Sequence, residues 1–265
     1  MFHHAKKSLG QNFLKSEVAL QAMVKTGEVN DNDIILEIGP GKGALTAKLL
    51  EKAKKVIAVE KDSELIEILE EKFKDEIKNK KLILLNEDIL NFDSKNSKML
   101  PYKIIANIPY NITGAILKKF LSCNNQPEIM VLLIQKEVAD RIIARNDKES
   151  ILSLSVKAYG IPKYIMKVNK RFFSPSPKVD SAIISIRSIS RENFKTQNEE
   201  EQFFKIIKSS FAHKRKVLRK NLEEVASLNI IDEMFIKLGI NSKVRAEDIS
   251  FSQWLLINRY LSKNA

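Results

Sequence analysis

The chain has 265 residues, 44% of them apolar and 29% charged, a balance typical of a folded protein with one large core and room for an appended domain. Its net charge of +12 favours a polyanionic partner, because cations placed on phosphates release counterions, although codon usage offers an alternative explanation. The sequence has no apolar run of the ~20 residues that a membrane span needs, and its N-terminus lacks the apolar core of a secretory signal. Cys123 is the one cysteine, which excludes an internal disulfide and a cysteine metal cluster. We therefore expect a cytoplasmic protein without metal.

Short apolar runs alternate with longer amphipathic ones between Asp33 and Tyr110. The short runs predict buried strands, and the spacing of apolar residues predicts helices at 44–53 and 63–73. This alternation favours an α/β domain with a mainly parallel sheet and helices on both faces. Three more strands are predicted farther along. The predicted strands are residues 34–38, 56–59, 82–85, 103–106, 129–134, 164–168 and 182–186.

The composition of the chain changes at Ser188. Residues 190–202 are polar and acidic, with Phe194 as their one apolar residue, and we predict a linker at 188–202. After it, residues 203–222 and 230–261 predict helices and no strand. The expected organisation is a sheet-containing domain at 1–187 and a small helical domain at 203–265.

A glycine-rich turn, Glu-Ile-Gly-Pro-Gly-Lys-Gly at 37–43, lies between a predicted strand and a predicted helix. Glycine is needed where the chain turns sharply or where a ligand lies against bare backbone, so Gly39 and Gly41 are candidate binding residues. The glycine spacing is one residue shorter than in a dinucleotide fingerprint, and no Gly-Lys-Ser/Thr follows as in a phosphate loop. A tight turn without a ligand is the alternative.

Two acids follow the next two predicted strands. Glu60 can accept hydrogen bonds from both hydroxyls of a ribose, and Asp88 can accept one from an adenine amino group. Each acid alone would suit a solvated loop. Together with the glycine turn they predict a site for an adenosine without pyrophosphate at the carboxyl edge of the sheet, which favours S-adenosylmethionine over NAD.

The tetrapeptide Asn107-Ile108-Pro109-Tyr110 ends the fourth predicted strand. The exocyclic amine of adenine is a poor nucleophile, because its lone pair is delocalised into the ring. The Asn107 side-chain oxygen and a nearby carbonyl, on backbone stiffened by Pro109, can accept its hydrogens and free the lone pair toward a methyl group. Tyr110 can stack on the base, a contact worth ~1–3 kcal/mol. A strand-ending turn is the alternative.

Four segments occur in order: residues 7–14 (Lys-Ser-Leu-Gly-Gln-Asn-Phe-Leu), 37–43, 107–110 and 173–181 (Phe-Ser-Pro-Ser-Pro-Lys-Val-Asp-Ser). In this combination the chain resembles the ribosomal RNA adenine dimethyltransferases, specifically the small-subunit dimethyladenosine transferases. The resemblance implies a Rossmann-like, S-adenosylmethionine-dependent methyltransferase domain. It also implies transfer of two methyls to each of two adjacent adenines near the 3′ end of small-subunit rRNA, within a pre-assembled small ribosomal subunit.

The resemblance also implies roles for individual residues. Asn107 and Tyr110 would hold the target adenine, and Phe173 would cover its other face, whereas the adjacent Phe172 is expected in the core. With Gly41 of the turn included, the expected cofactor-site residues are Asn12, Leu14, Gly39, Gly41, Glu60, Asp88 and Asn107.

A basic segment lies near the C-terminus, where residues 205–220 contain no acid. On a helix, these cations would surround a buried apolar stripe, and the absence of interleaved acids favours contact with an RNA backbone over a merely solvated face. His213 could join them. The candidate RNA-binding residues are Lys208, Lys214, Arg215, Lys216, Arg219 and Lys220.

Three other functions remain open at this point. A large-subunit rRNA adenine methyltransferase of the antibiotic-resistance type would share the cofactor motifs, but the segment 173–181 and the basic tail favour the small-subunit enzyme. A non-catalytic RNA- or DNA-binding factor would not need Glu60, Asn107 and Tyr110. A nicotinamide dehydrogenase would need a proton-transfer residue, and none is evident. Without a heptad repeat, we expect a monomer.

Overall fold

A seven-stranded sheet organises the larger part of the protein. The computed structural model describes residues 4–93 and 101–264. The order of strands in the sheet is β4-β3-β2-β5-β6-β9-β7, and a separate two-stranded sheet pairs β1 with β8. The strands are β1 Phe13–Leu14, β2 Ile34–Ile38, β3 Lys55–Glu60, β4 Leu82–Asn86, β5 Lys103–Asn107, β6 Ile129–Gln135, β7 Ile161–Val168, β8 Phe173–Ser174 and β9 Ser181–Arg187.

Helices connect the strands, and polar side chains begin several of them. Ser16 caps the first helix by accepting from the Ala19 N–H, and Asp62 caps the third by accepting from the Glu64 N–H. The helices in the described residues are α1 Glu17–Thr26, α2 Ala44–Lys52, α3 Ser63–Lys72, α4 Lys74–Lys78, α5 Thr113–Leu121, α6 Lys136–Ile142, α7 Ile151–Lys157, α8 Gln197–Ser210, α9 Leu218–Leu222, α10 Leu228–Leu238 and α11 Phe251–Lys263.

The central strands are buried along nearly their whole length, as expected of a sheet covered on both faces. Strands β4, β3, β2, β5 and β6 run parallel, and β9 is antiparallel to both β6 and β7. All seven predicted strands are confirmed to within three residues. The largest difference is at β7, which begins three residues before the predicted apolar run and includes Pro162. An edge strand tolerates a proline, because the N–H that proline lacks would not be needed for pairing on the open side.

The order of the strands reverses at β2. From this strand the chain proceeds outward through β3 and β4, then returns to place β5 on the opposite side of β2. In an open α/β sheet, such a reversal leaves a crevice at the carboxyl ends of the two neighbouring strands, and ligands bind there. The turns that follow β2 and β5 are the glycine-rich turn and the segment from Asn107 to Tyr110. The topology thus brings together the two motifs that the sequence singled out.

The two-stranded sheet was not predicted. Leu14 pairs with Phe173, and Phe13 pairs with Ser174, in antiparallel register. Two residues are too few to show a strand periodicity in the sequence. The pairing joins the N-terminal segment, residues 4–15, to the proline-rich segment, residues 173–181.

The described residues divide into two compact units. The first consists of Gly160–Ile189 with the described residues up to Ala139, and the second consists of Asp140–Tyr159 with the described residues from Ser190 onward. The predicted division at residues 187 and 203 therefore missed one stretch, because Asp140–Tyr159 belongs to the second unit. No apolar pattern in that stretch distinguishes the two assignments.

The predicted linker at 188–202 is wrong. Phe194 is buried, and its ring lies 5.3 Å from that of Phe203. Helix α8 begins at Gln197, six residues earlier than predicted, because the Thr196 side chain accepts from the Glu199 N–H as an N-cap. The polar, acidic stretch is therefore the start of a helix and an anchored part of the second unit.

The two long helices predicted near the C-terminus are each interrupted. Residues 211–217 form turns, and the Asn221 side chain donates to the carbonyls of Ser210 and His213, which satisfies groups that a continuing helix would have paired. Helix α10 ends at Leu238, and the φ of 63° at the next residue, Gly239, suits the left-handed C-cap position. Helix α11 then begins after the N-cap Ser250. No helix in the described part of the chain is long and apolar enough to cross a membrane.

Candidate active site

A cavity of about 950 Å³ opens in the first unit where the turns after β2, β3, β4 and β5 meet the N-terminal segment. Its volume is typical of a small-molecule site. The proline-rich segment also reaches its wall through Ser174 and Pro175. The predicted site residues that line this cavity are Asn12, Leu14, Gly39, Gly41, Glu60, Asp88, Asn107, Pro109 and Tyr110.

The glycine-rich turn has a backbone that other residues would strain. Gly39, Gly41 and Gly43 all have positive φ, at 66°, 58° and 74°. A Cβ atom added to Gly41 would lie 2.9 Å from the ring of Phe13, so space as well as conformation requires glycine there. The Gly39 N–H donates to the carbonyl of Val59 at 2.9 Å, which attaches the turn to β3. The cavity is therefore bordered by bare backbone held in one conformation.

The Glu60 carboxylate joins two of the turns that line the cavity. It accepts from the Gly41 N–H at 3.2 Å and from the Asp62 N–H at 3.0 Å. The side chain is buried, and burial raises the pKa of Glu60, while the backbone N–H groups oppose that shift by favouring the charged form. Glu60 therefore lies at the end of β3, facing the glycine-rich turn, as the sequence predicted.

Asp62 was missed by the sequence reasoning. Its carboxylate accepts from Lys6 Nζ and from Gln11 Nε2, both at 2.7 Å. The same carboxylate caps α3 through the Glu64 N–H. These contacts attach the N-terminal segment to the turn after β3. An acid directly before a predicted helix was the signal available, and it indicated a cap but no long-range partner.

Asn107 has its side-chain amide oriented by the N-terminal segment. Its Nδ2 donates to the carbonyl of Asn12 at 3.2 Å, and the Asn12 Nδ2 in turn donates to the carbonyl of Gly10 at 3.1 Å. With the donor engaged in this way, the Oδ1 acceptor is the atom that Asn107 can offer to a ligand in the cavity.

Tyr110 and Asp88 complete the predicted set around the cavity. The Tyr110 hydroxyl hydrogen-bonds the Ser181 hydroxyl at 2.7 Å, and burial raises the pKa of Tyr110, so the phenol is neutral at pH 7. Asp88 accepts from Lys61 Nζ at 2.8 Å and from the Leu90 N–H, and the lysine lowers the pKa of Asp88. Asp88 is therefore an ionised acceptor.

The two adjacent phenylalanines have the opposite burial from the one expected. Phe173 is 4% exposed and packs in the core with Leu14, and Phe172 is 37% exposed. Phe172 ends a short 3-10 turn, whereas Phe173 begins β8 and pairs with Leu14, which places only the second ring in the core. The structure thus brings Ser174 and Pro175 to the cavity wall, while Phe173 itself supports the wall from behind.

The predicted RNA-binding cations fall into two groups within the second unit. Lys208 is exposed on α8, and Lys214, Arg215 and Lys216 are exposed in the turn between α8 and α9. In contrast, Arg219 makes a bidentate ion pair with Asp232 at 2.6 and 2.7 Å, and Lys220 pairs with Glu223 at 2.8 Å. The sequence showed the excess of cations but not that Glu223, three residues on, would engage Lys220, or that the more distant Asp232 would engage Arg219.

Glu37, the first residue of the glycine-rich motif, is a buried acid that also lines the cavity. Its Oε2 has no hydrogen-bond partner among the described residues. Burial raises the pKa of Glu37 to about 8, and the nearby Glu60 carboxylate adds to that rise. Glu37 therefore carries a proton in the folded protein at neutral pH. Across residues 4–93 and 101–264, no group of three or more His, Cys, Asp or Glu could hold a metal ion.

A family model described as ribosomal RNA adenine dimethylase matches residues 2–263. The chain belongs to this family. It is 39% identical to the ribosomal RNA small subunit methyltransferase A of Fusobacterium nucleatum, over 96% of each chain. The protein of the same name from a Nostoc species is also 39% identical, over 97% of each chain. The resemblance on which the sequence prediction rested is thereby confirmed.

Two solved structures have the same fold as this chain. The crystal structure of the 23S rRNA methyltransferase ErmE aligns with a TM-score of 0.80 at 25% identity, covering 95% of this chain and 100% of its own. A dimethyladenosine transferase from Plasmodium falciparum aligns with a TM-score of 0.80 at 26% identity, covering 95% and 98%. The predicted Rossmann-like fold and the predicted class of enzyme, an rRNA adenine dimethyltransferase, are confirmed.

The buried Glu37 gives a prediction about stability and pH. The unfolded chain releases this proton near pH 4.5, whereas the folded protein releases it near pH 8. Between these values the folded state binds more protons, so this group lowers the free energy of unfolding as the pH rises through that window. Glu37→Gln mimics the protonated acid, and we expect the variant to gain stability over the wild type progressively from pH 5 to pH 8, measured by urea unfolding.

Glu67→Gln is the matched control, because Glu67 is an exposed acid on α3. Its stability profile should run parallel to that of the wild type. Parallel profiles for Glu37→Gln as well would show that Glu37 is ionised in the folded protein.

Proposed function

We propose that this protein transfers methyl groups from S-adenosylmethionine to the exocyclic amines of two adjacent adenines near the 3′ end of small-subunit rRNA, forming dimethyladenosine. The observation that carries the proposal is the orientation of Asn107 at the cavity, with its donor engaged by Asn12 and its acceptor available. The relatives named as small-subunit methyltransferases support the choice of rRNA. We expect a cytoplasmic monomer that acts on a pre-assembled small subunit.

The cavity residues fit the proposed methyl donor. Glu60 presents a buried carboxylate suited to ribose hydroxyls, and Asp88 presents an ionised acceptor suited to an adenine amino group. Gly39 and Gly41 leave bare backbone where a ligand can approach closely. Leu14 adds an apolar surface. When bound, S-adenosylmethionine would supply an activated methyl group on a sulfonium, so the protein needs no metal or nucleophilic side chain for this step.

The protein would act mainly by positioning the target amine. Asn107 Oδ1 would accept one amine hydrogen. The Pro109 carbonyl already accepts from the Ile112 N–H at 3.3 Å, so the backbone carbonyl of Ile108, a residue that also lines the cavity, would be the better acceptor for the other hydrogen. Both contacts draw the nitrogen away from conjugation with the ring and orient its lone pair. Such alignment would lower the barrier to methyl transfer, because the amine and the methyl group would already be held in the reactive geometry.

Tyr110 would contribute a stacking surface and no proton transfer. Its ring borders the cavity, and its hydroxyl is held by Ser181 on β9. A neutral phenol with a raised pKa is a poor base at pH 7. The role of Phe173 on the opposite face of the base stays a prediction, although its ring lies in the core and only its neighbours Ser174 and Pro175 reach the wall.

A large-subunit adenine methyltransferase is the second candidate, because the ErmE structure has the same fold over 95% of this chain. Sequence identity favours the small subunit, at 39% against 25%. The Asn107 and Tyr110 arrangement would serve either substrate, so the chemistry does not distinguish them. The substrate itself has to be tested.

One prediction of the proposed function concerns Asn107. Asn107→Ala removes the proposed acceptor, and we expect methyl transfer to fall about 100-fold or more, the size typical of losing one preorganised hydrogen bond at a reacting centre. The assay is transfer of labelled methyl from S-adenosylmethionine to unmethylated small subunits, with large subunits in parallel and nucleoside analysis of the product. Affinity for S-adenosylhomocysteine should change much less.

Asn91→Ala, on an exposed turn after Asp88, is the control and should retain wild-type rates. Near-normal turnover by Asn107→Ala would remove the assigned role. Label on the large subunit would favour the second candidate. If the wild type binds the cofactor and labels neither subunit, the proposed substrate is wrong.

A further prediction of the proposed function concerns the exposed cations of the second unit. Replacing Lys214, Arg215 and Lys216 together by Gln should weaken rRNA binding and reduce the slope of log K against log salt by about 2–3, since each phosphate contact contributes roughly 0.7–0.9. The measurement is a filter-binding or fluorescence titration at several salt concentrations.

Arg219→Gln with Lys220→Gln is the matched comparison. Because Asp232 and Glu223 already engage these cations, we expect a smaller change in the slope. An unchanged slope in the triple variant would show that the RNA backbone is bound elsewhere on the protein.

A further inference from the structure

We propose that Phe172 and Arg171 form a stacking platform for an RNA base adjacent to the adenine held in the cavity. The inference rests on the proposed function, and it assigns a nucleotide contact to an exposed surface that the transfer chemistry does not require.

The exposure of Phe172 is the first observation. Most of the phenylalanines with described burial are buried or half-buried, whereas Phe172 is 37% exposed beside the fully packed Phe173. The guanidinium carbon of Arg171 lies 5.1 Å from the centre of the Phe172 ring. A cation over one aromatic face stabilises the ring and leaves a delocalised, planar surface of the kind on which bases stack.

The backbone around this ring is held in place. The Phe172 carbonyl accepts from the Lys15 N–H at 2.8 Å, and the Phe172 N–H donates to the Asn169 carbonyl at 3.0 Å. Asn169 also accepts from the Arg171 N–H through its side chain at 3.0 Å. The Lys170 N–H donates to the Asp180 carboxylate. A segment with this many fixed contacts presents the ring at a defined position, which reduces the entropy cost of binding.

The backbone that carries this ring is attached to the wall of the proposed catalytic cavity. Lys15, whose N–H is bonded to the Phe172 carbonyl, lines the cavity, and so do Ser174 and Pro175. The platform is therefore at the margin of the site that would receive the target adenine. An RNA strand that delivers an unpaired adenine there must pass its neighbouring nucleotides over this margin.

The charge around the ring favours RNA over a protein partner. Lys170, Arg171 and Lys178 of this segment are exposed, and so is Lys15, the residue that follows β1. The one acid in the segment, Asp180, is engaged by Lys167 Nζ at 2.8 Å as well as by the Lys170 N–H. Aromatic rings within a basic surface are the combination that binds single-stranded nucleic acid, where the cations follow the phosphates and the rings stack on bases.

The test separates stacking from charge. Phe172→Ala should weaken binding to protein-free small-subunit rRNA and to unmethylated small subunits by about 5- to 150-fold, the range for loss of one base stack, without changing the salt slope. Phe172→Trp should restore affinity. Arg171→Gln should instead lower the salt slope by about 1. Ile161→Ala, which truncates an exposed apolar residue on the edge strand β7, is the control and should bind as the wild type does.

A spectroscopic readout reports the contact directly. Trp254 is the one native tryptophan and is fully buried, so the wild type supplies the background emission. RNA should quench the additional emission of Phe172→Trp if a base stacks on the indole. Wild-type affinity in Phe172→Ala, unquenched Trp emission, or a loss confined to intact subunits, which would indicate a ribosomal protein, would each overturn the inference. If the wild type fails to methylate adenine while Phe172→Ala still loses affinity, the proposed function fails and the platform stands.

Discussion

The buried carboxylate of Glu60 is the contact on which the cavity depends. Removing a carboxylate from water is costly, and the two backbone N–H groups of Gly41 and Asp62 offset part of that cost. Because these donors come from different turns, the same hydrogen bonds that stabilise the charge also fix the turn after β2 against the turn after β3. A requirement of electrostatics thus determines the shape of the site.

Asp62 extends this arrangement to the N-terminal segment. Its backbone donates to Glu60 while its side chain accepts from Lys6 and Gln11, so one residue connects the end of β3 to a segment more than fifty positions earlier in the chain. The segment then supplies the Asn12 carbonyl that orients Asn107. The proposed cofactor acid and the proposed substrate amide are therefore linked through a short series of hydrogen bonds within one unit, and the site is organised before any ligand arrives.

Much of the fold and of the site followed from local patterns. Fully buried parallel strands appear as continuous apolar runs, so the central strands were readable. Ligand-binding residues of α/β sheets lie at strand ends, which placed Gly39, Glu60, Asp88 and Asn107 before their contacts were known. The apolar runs are readable because burial acts on consecutive residues. The site residues are readable because each comes shortly after such a run.

The predictions failed where a residue's state depends on partners distant in sequence. Nothing near Arg219 indicates that Asp232 would engage it, and nothing within 190–202 except the spacing of Thr196 and Glu199 indicates a capped helix. The burial of Phe173 and the exposure of Phe172 depend on a two-residue pairing with the N-terminal segment. Short pairings and ion pairs leave no periodic trace, so a single sequence does not reveal them.

That same pairing explains how the proline-rich segment shapes the site through packing. Phe173 packs in the core against Leu14, and Leu14 is two residues from Asn12, whose carbonyl orients Asn107. This core contact therefore holds the N-terminal wall of the cavity in place. The ring of Phe173 stabilises the position of Asn12 by packing, whereas the exposed ring of Phe172, in the turn before β8, takes no part in that packing and is the ring for which we propose the RNA contact.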